Sequence, residues 1–124
     1  MTDWNPADLA TIDADGELRV AAHRLDGTLR TPRIVWHVVT GGALYLRSVR
    51  GAEGAWYRGV QRTGTGVIDA GGVRAEVTFT RDDAHDDAID RAYHAKYGDG
   101  SAVRSITSPA ATSTTLRVEP RQPR

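Results

Sequence analysis

Two glycine pairs constrain this chain more than any other feature. Gly41-Gly42 stands between the apolar run Arg33–Thr40 and the segment Ala43–Ser48, and Gly71-Gly72 stands between Val67–Ala70 and Val73–Thr80. Two-residue hairpin turns need positive φ at their centre, which glycine adopts without steric cost, and their twist matches that of paired antiparallel strands. Each pair therefore predicts a hairpin. In the second, Val73, Ala75, Val77 and Phe79 alternate with Arg74, Glu76, Thr78 and Thr80, so one face is expected inward and the other outward. In the first, Ile34, Trp36 and Val38 share one face and Val35, His37 and Val39 the other. Both faces are largely apolar, which predicts a central strand covered on both sides, with Trp36 buried.

Further elements fit around these hairpins. Leu18, Val20 and Ala22 alternate with Glu17, Arg19 and Ala21 as a strand does, and Asp26-Gly27 marks a turn. Asn5-Pro6 predicts a helix start, with Ala7–Ala14 helical and a stop near Asp15-Gly16. Ala55–Arg62 reads as a short helix broken at Thr63–Gly66, and Asp82–Tyr97 as the longest helix, with aspartates at its positive end and Gly98 after it. A Ser/Thr-rich connection leads to a last strand, Thr114–Glu119, and then a frayed tail over residues 120–124. The expected architecture is α+β: a six-stranded antiparallel sheet, curled into a split barrel, with three short helices in one domain over residues 1–124. Residues 1–16 form its N-terminal helical segment.

Composition narrows the classes of partner. The formal net charge is zero, against the strongly basic balance of a general nucleic-acid binder. No apolar stretch approaches the ~18 residues of a membrane span. Met1–Ala10 lacks a basic n-region and an apolar h-region, so no secretory signal is expected and the location reads as cytoplasmic. The chain has no cysteine, which removes disulfides, thiolate chemistry and zinc–thiolate sites.

Three tempting motifs fail on mechanism. Gly64-Thr65-Gly66 follows a helix and enters a strand, the reverse of a dinucleotide fingerprint, and lacks the lysine of a phosphate loop. Asp90 and His94 share a helix face, but no HExxH or comparable ligand set accompanies them, and no metal is expected. No G-x-S-x-G elbow supports a Ser-His-Asp triad.

The informative stretch is Arg30–Arg58. Fifteen of the sixteen basic residues are arginine, Lys96 being the exception. Arg30, Arg33, Arg47, Arg50 and Arg58 cluster near the ends of the first hairpin. Ser48, Gly51 and Gly54 belong to a loop that runs into the helix beginning at Ala55. Free backbone N–H groups at a helix start, a hydroxyl and guanidinium forks together suit a phosphate. Trp36, Tyr45, Trp56 and Tyr57 add flat apolar surface beside it. The bland alternative is that the aromatics are core and the arginines solvated surface.

Three segments carry a family resemblance: Thr31-Pro32-Arg33-Ile34-Val35-Trp36, then Leu44-Tyr45-Leu46-Arg47-Ser48, then Gly54-Ala55-Trp56-Tyr57-Arg58. They resemble the split β-barrel proteins that bind flavin or deazaflavin, in particular a bacterial family related to the deazaflavin-dependent nitroreductases. The similarity runs from about Arg24 to Phe79. It implies that Ser48, Arg50, Gly51 and Trp56 hold the phosphate of FMN or of a deazaflavin coenzyme, with Arg47 and Arg58 adding charge. It implies that Arg33, Ile34, Val35 and Trp36 line the ring. The lysine often found near the phosphate in that group is absent, and the loop Val49–Ala55 is short. The expected activity is hydride transfer to or from a small organic substrate, with His37, Tyr45 or Tyr93 in contact with it, and the expected assembly is a homodimer. The alternatives are a cofactor-free isomerase, dehydratase or cyclase of a biosynthetic pathway, and a non-catalytic small-ligand-binding domain.

Overall fold

The computed structural model describes residues 3–121. The elements run α1 (Pro6–Ala14), β1 (Leu18–Ala22), β2 (Arg33–Val35), β3 (His37–Thr40), β4 (Ala43–Leu46), a 3-10 turn (Gly51–Glu53), α2 (Ala55–Thr63), β5 (Thr65–Ala70), β6 (Val73–Arg81), α3 (Asp86–Tyr97), α4 (Ser101–Ile106), α5 (Pro109–Thr112) and β7 (Leu116–Pro120). The strands form one seven-stranded sheet in the order β2-β1-β5-β6-β7-β4-β3, with every pairing antiparallel.

Both glycine-pair hairpins form. Gly41 and Gly42 take φ of 61° and 76° and join Thr40 to Ala43; Gly71 and Gly72 take 60° and 87° and join Ala70 to Val73. The predicted strand Arg33–Thr40 departs from expectation. It breaks at Trp36 into β2, which pairs with β1, and β3, which pairs with β4. These halves stand at opposite ends of the strand order. One stretch of chain therefore closes the sheet into a nearly complete barrel, and the count is seven strands rather than six. Only the β3 half is covered on both faces: Arg33 and Ile34 are exposed, whereas His37 and Val38 are buried. Trp36, at the corner, is half-buried rather than buried. Its ring stacks on Tyr97 at 4.1 Å between centroids and 4° between planes.

The barrel interior holds the larger core, including Leu18, Val20, Leu44, Leu46, Ile68, Val77 and Val118. Ile12 of α1 joins it, and α1 starts as expected, with the Asn5 side chain accepting from the N–H groups of Ala7 and Asp8. Outside the barrel, a second cluster joins Val38, Ala43 and Tyr45 to Ile89 and Tyr93 of α3 and to Val103 and Ile106 of α4.

α3 starts at Asp86, four residues later than predicted. The Asp82 carboxylate accepts from the Ala84 N–H and contacts His85, a local turn that competes with helix. The Ser/Thr-rich connection folds into α4 and α5. Ser105 and Thr107 hydroxyls donate to carbonyls four residues back, and Ser108 caps α5 ahead of Pro109. At the C-terminal end, Pro120 belongs to β7, and the Arg121 N–H donates to Glu76 O, so the chain stays paired where a frayed tail was expected. Residues 1, 2 and 122–124, which carry parts of the N-terminal and tail expectations, lie outside the described residues. Among the described residues no helix is long and apolar enough to cross a membrane.

Candidate functional site

At the end of β4 the chain leaves the sheet through Arg47 and Ser48, makes the 3-10 turn and enters α2. This strand–loop–helix passage forms one wall of a groove of about 670 Å³; the corner strand Arg33–Trp36 forms another, and Ala102, Ser105 and Ile106 of α4 a third. Of the ten residues the sequence assigned to a cofactor, eight line this groove: Arg33, Ile34, Val35, Trp36, Arg47, Ser48, Arg50 and Trp56. Two do not. Gly51 is buried in the 3-10 turn at φ 66°, where a Cβ would touch Ala110, and Arg58 is exposed on α2 away from the lining.

Ser48 is the most telling residue in the groove. It is 1 % exposed, its backbone N–H donates to Thr114 Oγ1 at 2.8 Å, and its own hydroxyl has no hydrogen-bond partner among the described residues. Buried hydroxyls are ordinarily satisfied, so an orphan calls for an explanation. Gly54, the N-cap of α2, leaves room for it: a Cβ there would stand 2.3 Å from Ser48 Oγ. α2 has no side-chain cap, and its first ladder bond is Arg58 N–H to Gly54 O. The N–H groups of Ala55, Trp56 and Tyr57 thus have no backbone acceptor among the described residues, as at any helix start. Arg33 and Arg50 add positive charge, and no carboxylate among the described residues pairs with either.

Arg47 differs from these. Although it contributes to the lining, its guanidinium is committed elsewhere: Nη1 donates to Asp90 Oδ1 at 2.5 Å, Nε donates to Thr115 Oγ1 at 2.8 Å, and Asp86 lies 3.8 Å from Nη2. It is 1 % exposed and lies 5.6 Å from the Tyr93 ring centroid. Its role is to tie the end of β4 to α3 and β7, and so to fix Ser48, rather than to present charge.

The residues expected to touch substrate, His37, Tyr45 and Tyr93, do not line the groove. His37 is fully buried, with Nε2 donating to Ile12 O at 2.7 Å and Lys96 Nζ 3.2 Å away; burial holds its pKa below the ordinary value. Tyr45 is buried in the outer cluster, and burial raises its pKa. Tyr93 is also fully buried, its hydroxyl donates to Trp36 O at 3.1 Å, and burial raises its pKa strongly. These three are packing residues in this fold. Asp90 is taken by Arg47, and His94 Nδ1 lies 2.7 Å from Asp99 Oδ1.

Sequence reading missed the α4 wall because it placed a loop there. The signal was present: Ala102, Ser105 and Ile106 fall three and four apart, on one face of a helix.

Comparisons with known proteins agree with this architecture. A comparison with curated protein sequences finds no match. Among solved structures, a putative pyridoxamine 5'-phosphate oxidase from Listeria innocua aligns at TM-score 0.62 and 16% identity, covering 94% of this chain and 92% of that one. HutZ, the heme storage protein of Vibrio cholerae, aligns at TM-score 0.64 and 12% identity over 98% and 92%. A protein described as an F420 reductase aligns at 0.54 and 15% over 93% and 92%. At these identities the likeness is one of fold, that of the split-barrel proteins. A family model described as an uncharacterized protein conserved in bacteria, DUF2255, matches residues 8–118. The chain belongs to that family, and its fold is the split β-barrel.

Proposed function

We propose that this protein binds a phosphate-bearing flavin-type cofactor, FMN or a deazaflavin, and acts as an oxidoreductase on a small organic substrate in the cytoplasm. The observation that carries the reading is the orphaned Ser48 hydroxyl, buried beside the uncapped start of α2. A phosphate there would accept from that hydroxyl and from the N–H groups of α2, at the helix end whose dipole favours an anion. Arg50 and Arg33 would supply charge-assisted bonds. Ile34, Val35, Trp36 and Trp56 would give the ring a flat apolar wall, and Trp36 is held in place by its stack on Tyr97. When bound, the ring supplies the chemistry, accepting or giving up a hydride; the protein binds it, orients it and keeps water from one face. The fold is shared with a putative pyridoxamine 5'-phosphate oxidase and an F420 reductase, which supports the reading. A haem, as the name of HutZ suggests for that relative, needs an axial ligand. No histidine, tyrosine or methionine among the described residues lines the groove.

The same reading includes a homodimer. Ile34 and Val49 line the groove yet are 53% and 54% exposed, the kind of apolar surface a second copy would cover. Calorimetric titration of the purified protein with FMN and with a deazaflavin coenzyme tests the cofactor. Saturable binding of one, weakened by Arg50→Glu, is expected; failure of both to bind refutes it. Sedimentation at micromolar concentration should give twice the chain mass.

A further inference from the structure

Behind the main groove lies a smaller cavity of about 140 Å³, and the two share Arg33, Ala55 and Trp56 in their walls. Its lining includes three arginines, Arg24, Arg30 and Arg33, of which Arg30 is half-buried and the other two are exposed. No aspartate or glutamate among the described residues forms an ion pair with any of them. Arg24 is partly occupied, since its Nη1 donates to Leu29 O at 2.7 Å and Thr28 Oγ1 at 3.3 Å. Arg30 is not: its Nε, enclosed against α2, has no hydrogen-bond partner among the described residues.

Arg30 is held in that state by design of the local chain. Its backbone N–H donates to Ala22 O at 2.9 Å, next to the bridge between His23 and Leu29. Its side chain lies across α2 at Gly59, where a Cβ would stand 2.9 Å from Arg30 Cδ and 3.0 Å from Nε. Glycine inside a helix is less favourable than alanine. Here that residue makes the space the arginine fills. An arginine cannot shed its charge, so Arg30, with no carboxylate partner among the described residues and two further arginines on the same cavity, suits an anion.

We propose that this cavity is a second oxyanion subsite, centred on Arg30, which takes a phosphate or carboxylate group beyond the phosphate seated at Ser48. The inference rests on the reading of the main groove, and it narrows the site's ligands to those presenting two anionic groups, on one molecule or on a cofactor and its substrate.

The test follows arginine Nε–H signals by proton–nitrogen NMR as inorganic phosphate is titrated at constant ionic strength, first into the protein alone. The Arg30 Nε–H signal, assigned by its loss in Arg30→Gln, should shift saturably; the absence of a shift overturns the subsite. The Ala55 and Trp56 amides report the main groove in the same spectra. The titration is repeated with FMN present in excess. Because FMN has one phosphate group, inorganic phosphate should still saturate Arg30. If FMN itself saturates Arg30 and phosphate adds nothing, Arg30 belongs to the first site and the proposal fails. If FMN does not bind while phosphate still saturates Arg30, the cofactor reading falls and the oxyanion subsite stands. Gly59→Ala keeps every charge but displaces the arginine. It should weaken phosphate at Arg30 at least fivefold and leave the Ala55 and Trp56 response within twofold; equal weakening of both overturns the proposal.

Discussion

Replacing Arg47 by alanine separates its structural role from the cofactor-binding role that its position in the sequence suggested. The substitution removes the bonds to Asp90 and Thr115, the ion pair with Asp86 and the stacking over Tyr93. Breaking a buried ion pair by deleting one partner costs about 3–5 kcal/mol, chiefly because the remaining charge is stranded. Here the side chains of Asp86 and Asp90 are each 36% exposed, so the freed carboxylates regain part of their hydration. The expected cost is therefore at the lower end, about 3 kcal/mol. For a chain of this length each kcal/mol moves Tm by roughly 3–5 °C, so Arg47→Ala should lower it by roughly 10–15 °C. Thermal unfolding followed by circular dichroism reads this directly. Arg50→Ala, at an exposed position without an ion pair, should shift Tm by less than about 2 °C and weaken phosphate binding instead. A further check is the pair Arg47→Met with Asp90→Asn: if the bond is as tight as it looks, the double variant should be more stable than the sum of the two single losses implies. An Arg47→Ala protein melting within about 3 °C of the parent would show that the buried network contributes nothing and would return Arg47 to the candidate cofactor-binding residues.

Gly54→Ala should leave the backbone unstrained, since φ at that position is −60°, but drive the new methyl into the Ser48 hydroxyl; FMN or phosphate affinity is expected to fall more than tenfold with Tm little changed, and unchanged affinity would remove Ser48 from the site. His37 gives a pH dependence. Burial, opposed in part by the Ile12 carbonyl, holds its folded pKa below the ordinary 6.5, so the unfolded chain binds the extra proton between the two values. Stability should be intact above pH 6.5 and decline as pH falls below it; a urea midpoint equal at pH 7.5 and 5.0, or a decline undiminished in a folded His37→Gln variant, would contradict this.

The parts of the fold that were legible in the sequence are those decided locally. Gly41-Gly42 and Gly71-Gly72 specify their turns whatever surrounds them, and the alternation Val73–Thr80 declares its own inner face. The break at Trp36 could not be read in the same way. Residues 33–40 have the composition of one continuous strand, and only the closing of the sheet requires that its first half pair with β1 and its second with β4. The burial of His37, Tyr45 and Tyr93 was hidden for a related reason: α1, α3 and α4 cover that side, and α4 was masked by serine and threonine, which favour loops until their hydroxyls find carbonyls in the preceding turn. Arg47 and Arg50 look equivalent three residues apart; what separates them is Asp90, forty-three positions from Arg47 in sequence. The expectation for Ser48 rested on the order strand, loop, helix start, which is itself local, and Ser48 lies in the lining of the groove.

The position of β2 and β3 at opposite ends of the strand order bears on how much backbone this protein offers to a foreign strand. An open sheet presents two rows of unpaired N–H and C=O groups on which a foreign strand can grow, a common beginning of aggregation. Here both outermost rows belong to one stretch of chain, three residues long on one side of Trp36 and four on the other. A strand docking on either would gain only a few ladder bonds before reaching the corner, where the direction of pairing changes. The bend that shapes one wall of the groove thus also leaves would-be fibrils with very little template.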